Sequence, residues 1–158
     1  MNILVFSDSH GAVAPMRAAV DAVKPDLVLH LGDYDRDRRA LAALCPGLDC
    51  RGVRGNCDGP GSPERLLLEL GGKKLLLVHG HRQRVKEDLT ALYLSAREAG
   101  ADAALFGHTH IPCRETEGGI LLLNPGSIGM GSPPSYALLT IQDGAITAQL
   151  RRLSSPAR

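Results

Sequence analysis

Short apolar runs ending in polar tips recur along the chain, and this pattern sets out its elements. Ile3 to Phe6 is an apolar run of the length and the β-branched and aromatic content that a buried strand requires. It stops at Ser7, and Asp8, His10 and Gly11 follow. Residues 12–23 carry apolar side chains at Val13, Met16, Ala19, Val20 and Val23, the spacing of a helix with Pro15 in its first turn and Pro25 beyond its end. Residues 26–31 form a second apolar strand, tipped by Gly32 and Asp33. Strand, helix and strand at this length predict a right-handed βαβ unit, whose parallel strands end on one edge of a sheet. Residues two apart in an extended segment face the same side, so Asp8 and His10 converge there with Asp33. Ligands of open α/β sheets bind at that edge.

The pattern continues downstream. Residues 38–44 read as a helix and 48–53 as a strand, followed by R-G-N-C-D-G at 54–59, a tight turn that presents Asn56, Cys57 and Asp58. Residues 65–70 and 73–78 form a hairpin about Gly71-Gly72, and its second strand runs into His79-Gly80-His81. Residues 85–99 read as one amphipathic helix, with Val85, Leu89, Leu92 and Ala96 on one face and Gly100 as its stop. Residues 101–106 are a buried strand ending in Gly107-His108-Thr109-His110, and two more hairpins span 111–123 and 136–153. His30 alternates with Leu29 and Leu31 and reads as a packed histidine rather than a ligand. Arg36, Arg38 and Arg39 read as a solvated helix face, with a loop that greets phosphate as the minority reading.

Composition narrows the class. A chain of 158 residues, 44% hydrophobic and 22% charged, suits a single globular domain over 1–153 with a flexible tail at 154–158. Net charge of +1 gives no electrostatic case for nucleic acid or a membrane surface. No apolar run approaches the roughly 20 residues of a membrane helix. No basic segment precedes Ile3, so a cytoplasmic location is expected, with reduced thiols at Cys45, Cys50, Cys57 and Cys113. Cys45, Cys50 and Cys57 lack the matching second pair of a zinc cluster.

Five strand tips thus carry polar groups, and five of the six histidines lie at them. The number of donors suits two metal ions sharing a carboxylate. Two metals about 3.5–4 Å apart can clamp the attacking and leaving oxygens of a phosphoryl displacement. The serines sit in no G-x-S-x-G context, which argues against a serine hydrolase.

The order D-S-H, G-D, G-N-C-D, H-G-H and G-H-T-H, with L-N-P-G-S at 123–127, resembles the calcineurin-like metallophosphoesterases, and most closely their small bacterial and archaeal phosphodiesterases. The resemblance covers nearly the whole chain. It implies an α/β fold, a four-layer α-β-β-α sandwich with two mixed β-sheets. It assigns Asp8, His10 and His110 to one metal and Asn56, His79 and His108 to the other, with Asp33 bridging. The implied function is a dinuclear phosphodiesterase using in-line attack by a metal-bridging hydroxide. A mixed nitrogen and oxygen donor set favours Mn²⁺, with Fe, Zn²⁺ and Ni²⁺ open. Asn56 would also offer its amide to the phosphate, and Asp58 would orient a neighbouring group. His81 either donates to the substrate or is a loop histidine. Cys57 stands where many members have a histidine that helps the leaving group, and the 129–135 loop lacks the arginine that often follows N-P-G-S. The alternative is a non-catalytic metal- or protein-binding scaffold, the role of a retromer subunit with this fold. The expected partner is a phosphate-ester substrate, with a homodimer left open and neither nucleic acid nor membrane.

Overall fold

The apolar runs pair into two sheets. The computed structural model describes residues 1–153, and the expected tail at 154–158 lies outside them. In chain order the first half forms β1 (Asn2–Phe6), α1 (Val13–Val23), β2 (Leu27–His30), α2 (Asp35–Leu44), β3 (Asp49–Gly52), β4 (Arg65–Leu70) and β5 (Lys73–Val78). The second half forms α3 (Thr90–Glu98), β6 (Ala103–Leu105), β7 (Cys113–Glu117), β8 (Ile120–Asn124), β9 (Ser135–Gln142) and β10 (Ala145–Arg152).

One five-stranded sheet has the order β10-β9-β1-β2-β3, and the other β4-β5-β6-β8-β7. Both are mixed. In the first, β1, β2 and β3 run parallel, with Ile3 opposite Leu27, while β9 lies antiparallel to β1. In the second, β5, β6 and β8 run parallel between antiparallel edge strands. The alternation of each strand sorts its side chains into layers. Ile3, Val5, Leu29, Leu75, Leu77 and Leu105 fill the space between the sheets. Leu4, Phe6 and Val28 face the other way and bury Met16 and Val20 of α1 and Leu41 of α2. Leu76, Ala104 and Leu122 do the same for Leu92 and Ala96 of α3. The result is the expected α-β-β-α sandwich.

One element is shorter than its periodicity predicts. Residues 85–87 are turns, and the helix begins only at Thr90. Arg84 takes a left-handed conformation (φ 54°), and the Asp88 carboxylate accepts the Thr90 N–H at 2.9 Å, which starts the helix there. Val85 and Leu89 still pack on the α3 core. Their spacing reported burial correctly and backbone conformation wrongly. Among the described residues no helix is long and apolar enough to cross a membrane.

Candidate metal centre

The parallel strands β1 and β2 of one sheet and β5 and β6 of the other end at a common edge, and their tips are distorted. Among the described residues nine non-glycine positions have positive φ, and six of them are tip residues: Asp8, His10, Asp33, Tyr34, His108 and His110. Each such conformation costs on the order of 1–3 kcal/mol and persists where surrounding contacts over-determine it.

Those contacts are visible. Asp58 accepts four backbone N–H groups: its Oδ2 takes Asp33 and Gly55 (2.9 and 2.8 Å), and its Oδ1 takes Tyr34 and Asp35 (2.8 and 3.0 Å). It therefore clamps the 54–59 turn onto the β2 tip. Asn124, buried at the end of β8, donates to the Gly107 carbonyl and to Thr109 Oγ1, both at 3.0 Å, and so braces the β6 tip. Ser127 Oγ donates to the Asp8 carbonyl at 2.7 Å. His30 is buried on the helix-facing side of β2. Its Nδ1 accepts the Gly32 N–H (3.2 Å), so its Nε2 donates to Ser9 Oγ (2.9 Å), which donates to Asp37 (2.7 Å). Burial, opposed by the surrounding carboxylates, holds this imidazole below its usual pKa and neutral.

The side chains held this way form two triads, Asp8 with His10 and His110, and Asp8 with Asp33 and His79, the donor atoms of each within 4.8 Å of one another. Asp8 belongs to both. Its Oδ2 accepts the Ser7 hydroxyl and the His108 N–H, which leaves Oδ1 facing His110 Nε2 at 3.1 Å and His79 Nε2 at 3.9 Å. Asp33 is built alike. Its Oδ1 accepts the Cys57 N–H at 2.9 Å, and its Oδ2 lies 3.4 Å from His79 Nε2. Each carboxylate thus has one oxygen fixed by the protein and one aimed at the centre. His79 Nδ1 donates to the Leu31 carbonyl at 2.8 Å, so its Nε2 presents a lone pair there.

A divalent ion fits these residues. His79 Nε2 and His10 Nε2 are buried with no hydrogen-bond partner, a costly state for a polar atom and the expected one for a ligand without its metal. The charges of these side chains act on one another. Burial would lower the His79 pKa, but Asp33 and Asp8 outweigh it and raise it. Burial would raise Asp33, but His79 outweighs it and holds the carboxyl well below its usual range. His108 and His81 are pushed down, by burial first and by His79 second.

The remaining expected residues lie around this core. The His108 and His81 rings sit 5.0 and 5.5 Å from the His79 ring, centroid to centroid, and His81 Nδ1 is a third buried nitrogen with no partner. Asn56 is exposed, and its amide reaches Cys57 Sγ at 3.6 Å. The metal-capable triads among the described residues contain no cysteine. Sequence reasoning missed Ser7, Ser9, Asp37, Asn124 and Ser127 as supports. Their signal was available: small polar residues directly beside buried apolar runs must find hydrogen-bond partners.

The calcineurin-like phosphoesterase superfamily domain model matches residues 1–144. A probable metallophosphoesterase of Bacillus subtilis, YsnB, is 38% identical over 156 residues, covering 94% of this chain and 89% of that one. Phosphodiesterase YfcE of Escherichia coli K12 is 33% identical over 120 residues, 62% of this chain and 60% of that one. The crystal structure of a predicted phosphoesterase from Streptococcus pneumoniae TIGR4 superposes with a TM-score of 0.82 at 35% identity, covering 96% of this chain and 88% of that one.

Proposed function

The chain belongs to the calcineurin-like phosphoesterase superfamily and is a metal-dependent phosphoester hydrolase, and from that premise we propose that it acts as a phosphodiesterase with two metal ions at the strand tips. The observation that carries this reading is the pair of carboxylates, each with one oxygen aimed at the centre, beside the unpartnered buried Nε2 atoms of His10 and His79. In this reading Asp8, His10 and His110 would hold one metal, Asn56, His79 and His108 would hold the other, and Asp33 would be shared between them. Asp8 is the competing bridge, because its Oδ1 faces both triads. Mn²⁺ is the metal we favour, since imidazole and carboxylate together suit it better than Mg²⁺ or Ca²⁺.

The metals, when bound, would supply a water-derived nucleophile for in-line displacement at neutral pH and neutralise charge on the phosphate oxygens. The chain's own residues do the rest. Asn56, exposed at its turn, offers an amide N–H to a phosphate oxygen. His81, beside His79 and His108, offers a second donor. Asp58 acts through the backbone, fixing where Asp33 and Asn56 sit. Leu31 holds the His79 ring in the tautomer that leaves Nε2 free. No side chain here is required as a nucleophile. A cytoplasmic location and reduced thiols accord with the four free cysteines.

The test is metal content and aryl diester hydrolysis in single variants. Asp33→Ala is expected to lose both metals and to lower turnover of bis(p-nitrophenyl) phosphate by about 10²-fold or more, by analogy with removal of a transition-state contact. His79→Ala should lose one metal. Retention of two metals and of activity in Asp33→Ala overturns the bridge assignment, and loss of both metals only in Asp8→Ala moves the bridge to Asp8.

A further inference from the structure

Beside the candidate metals lies an open cleft of about 430 Å³, whose lining includes His10, Tyr34, Arg36, Arg39 and Asp58. Its formal charges do not all face a ligand. Asp58 spends both oxygens on four backbone N–H groups. Asp35 is bound by Arg38 (2.7 Å) and by Ser62 Oγ (2.6 Å), and Arg38 turns its other nitrogen to the Cys50 carbonyl (2.9 Å). Arg54, also on the wall, pairs with Glu64 at 3.0 Å. One cation is left over and a second is weakly held. Arg39 is exposed and reaches Asp35 Oδ2 and Ser62 Oγ, each at 3.4 Å. Arg36 has no acidic partner among the described residues, and its guanidinium is held 4.4 Å above the Tyr34 ring. Tyr34 is itself pinned in a left-handed conformation (φ 69°) against the His10 ring at 4.7 Å. An aromatic face that orients an arginine without neutralising it leaves the guanidinium fork free for an oxyanion.

We propose that Arg36 and Arg39 form a subsite for a second phosphate on the substrate, so that this chain acts on phosphate diesters whose retained arm carries a terminal phosphate. This rests on the hydrolase reading above and deepens it. The three consecutive-looking arginines of α2 have separate tasks. Arg38 is a half-buried structural partner, while Arg36 and Arg39, one helical turn apart, both line the cleft. A single-charge diester would leave Arg36 unanswered and Arg39 only weakly engaged. A second phosphate would be met by the planar guanidinium fork of Arg36, which suits bidentate charge-assisted hydrogen bonds.

The test is calorimetric titration of the metal-loaded protein with ethane-1,2-, propane-1,3- and butane-1,4-diol bisphosphates and with the matching monophosphates. At one or more arm lengths the bisphosphate is expected to bind about tenfold tighter than its monophosphate. Arg36→Gln with Arg39→Gln should reduce that ratio to about twofold, the statistical advantage of two identical ends. Arg36→Gln alone, which changes an exposed side chain lying over the Tyr34 ring, should reduce it about threefold and guards against misfolding of the double variant. Ratios no greater than twofold at every length, or a ratio unchanged in both variants, overturn the subsite. A p-nitrophenyl diester assay on the same samples separates the two claims. Binding preference without diester turnover defeats the hydrolase reading and leaves the subsite standing. Turnover without the preference does the reverse.

Discussion

Asp58 accepts four backbone N–H groups with two oxygens, and those N–H groups belong to the residues that bend the β2 tip and the 54–59 turn toward each other. Asparagine at this position has one acceptor oxygen and an NH₂ that would point at two N–H donors. Hydrogen bonds to charged groups contribute about 1.5–3 kcal/mol each, and they are not additive. Asp58→Asn is therefore expected to destabilise the fold by about 2–4 kcal/mol and to weaken metal binding, although Asp58 touches no metal in this account. Urea unfolding and metal titration of the variant check both. Unchanged stability would mean the clamp is redundant. A second expectation concerns Cys57. A thiol is a weak hydrogen-bond donor, and burial followed by the nearby Asp33 pushes this one above its usual pKa. Rates for substituted phenyl diesters should therefore fall steeply as the leaving-group pKa rises, and Cys57→His should flatten the slope. A flat plot in the wild type, with chemistry rate-limiting, would mean another group already protonates the leaving oxygen.

At the scale of elements, the two sheets meet at their tips with no spare room. A Cβ on Gly107, after β6, would lie 2.0 Å from Ser7 Oγ and 2.7 Å from Asp8 Oδ2 on the β1 tip. A Cβ on Gly59 would meet nothing within 4 Å. Gly107→Ala should therefore lower stability by about 1–3 kcal/mol and displace Asp8, while Gly59→Ala should stay within about 0.5 kcal/mol. Thermal melts with and without Mn²⁺ distinguish them, and equal effects would contradict the packing argument. Helix α2 gives a pH prediction. Burial alone would raise the Asp35 carboxyl, but Arg38 and Ser62 outweigh it and hold its pKa below the ordinary 3.8. A carboxylate whose folded pKa is depressed stabilises the fold above its unfolded pKa, and that stability is lost as pH falls through the folded one. Arg38→Gln leaves the burial and removes the cation, so the acid-unfolding midpoint should move to higher pH. No movement would mean the pair contributes nothing net. The elements themselves were largely legible: apolar runs such as residues 3–6 and 75–78 admit no other placement than a buried strand, and Gly71-Gly72 and Gly118-Gly119 fixed their hairpins. The start of α3 was not, because apolar spacing at Val85 and Leu89 reports which side is buried and not how the backbone gets there. The donor residues could be read as tip residues. Asp58 could be read as an orienting residue, but its backbone partners at 33–35 could not, because they lie in a segment far away in sequence. The free Arg36 could not be read either, since whether an exposed arginine finds an acidic partner depends on the whole fold.

For the whole molecule, the sandwich brings the tips of two separate sheets together and strains them. Six tip residues in left-handed conformations and three buried imidazole nitrogens without partners are unfavourable in isolation. A ligand that binds only the folded chain offsets this by mass action, by about 2.7 kcal/mol at 100 times its dissociation constant. Removal of metal by a chelator is thus expected to lower the melting temperature, and re-addition of Mn²⁺ to restore it. An unchanged melting temperature would contradict a metal-completed centre. The most direct measurement combines occupancy with chemistry: Mn²⁺ is titrated into metal-free protein while bound metal per chain and hydrolysis of bis(p-nitrophenyl) phosphate are followed together. The predicted result is two metals per chain, with turnover absent in the metal-free protein and reaching its plateau only as the second metal binds. Two bound metals with no turnover of any aryl diester, the behaviour of a scaffold, or full turnover without metal, would contradict it.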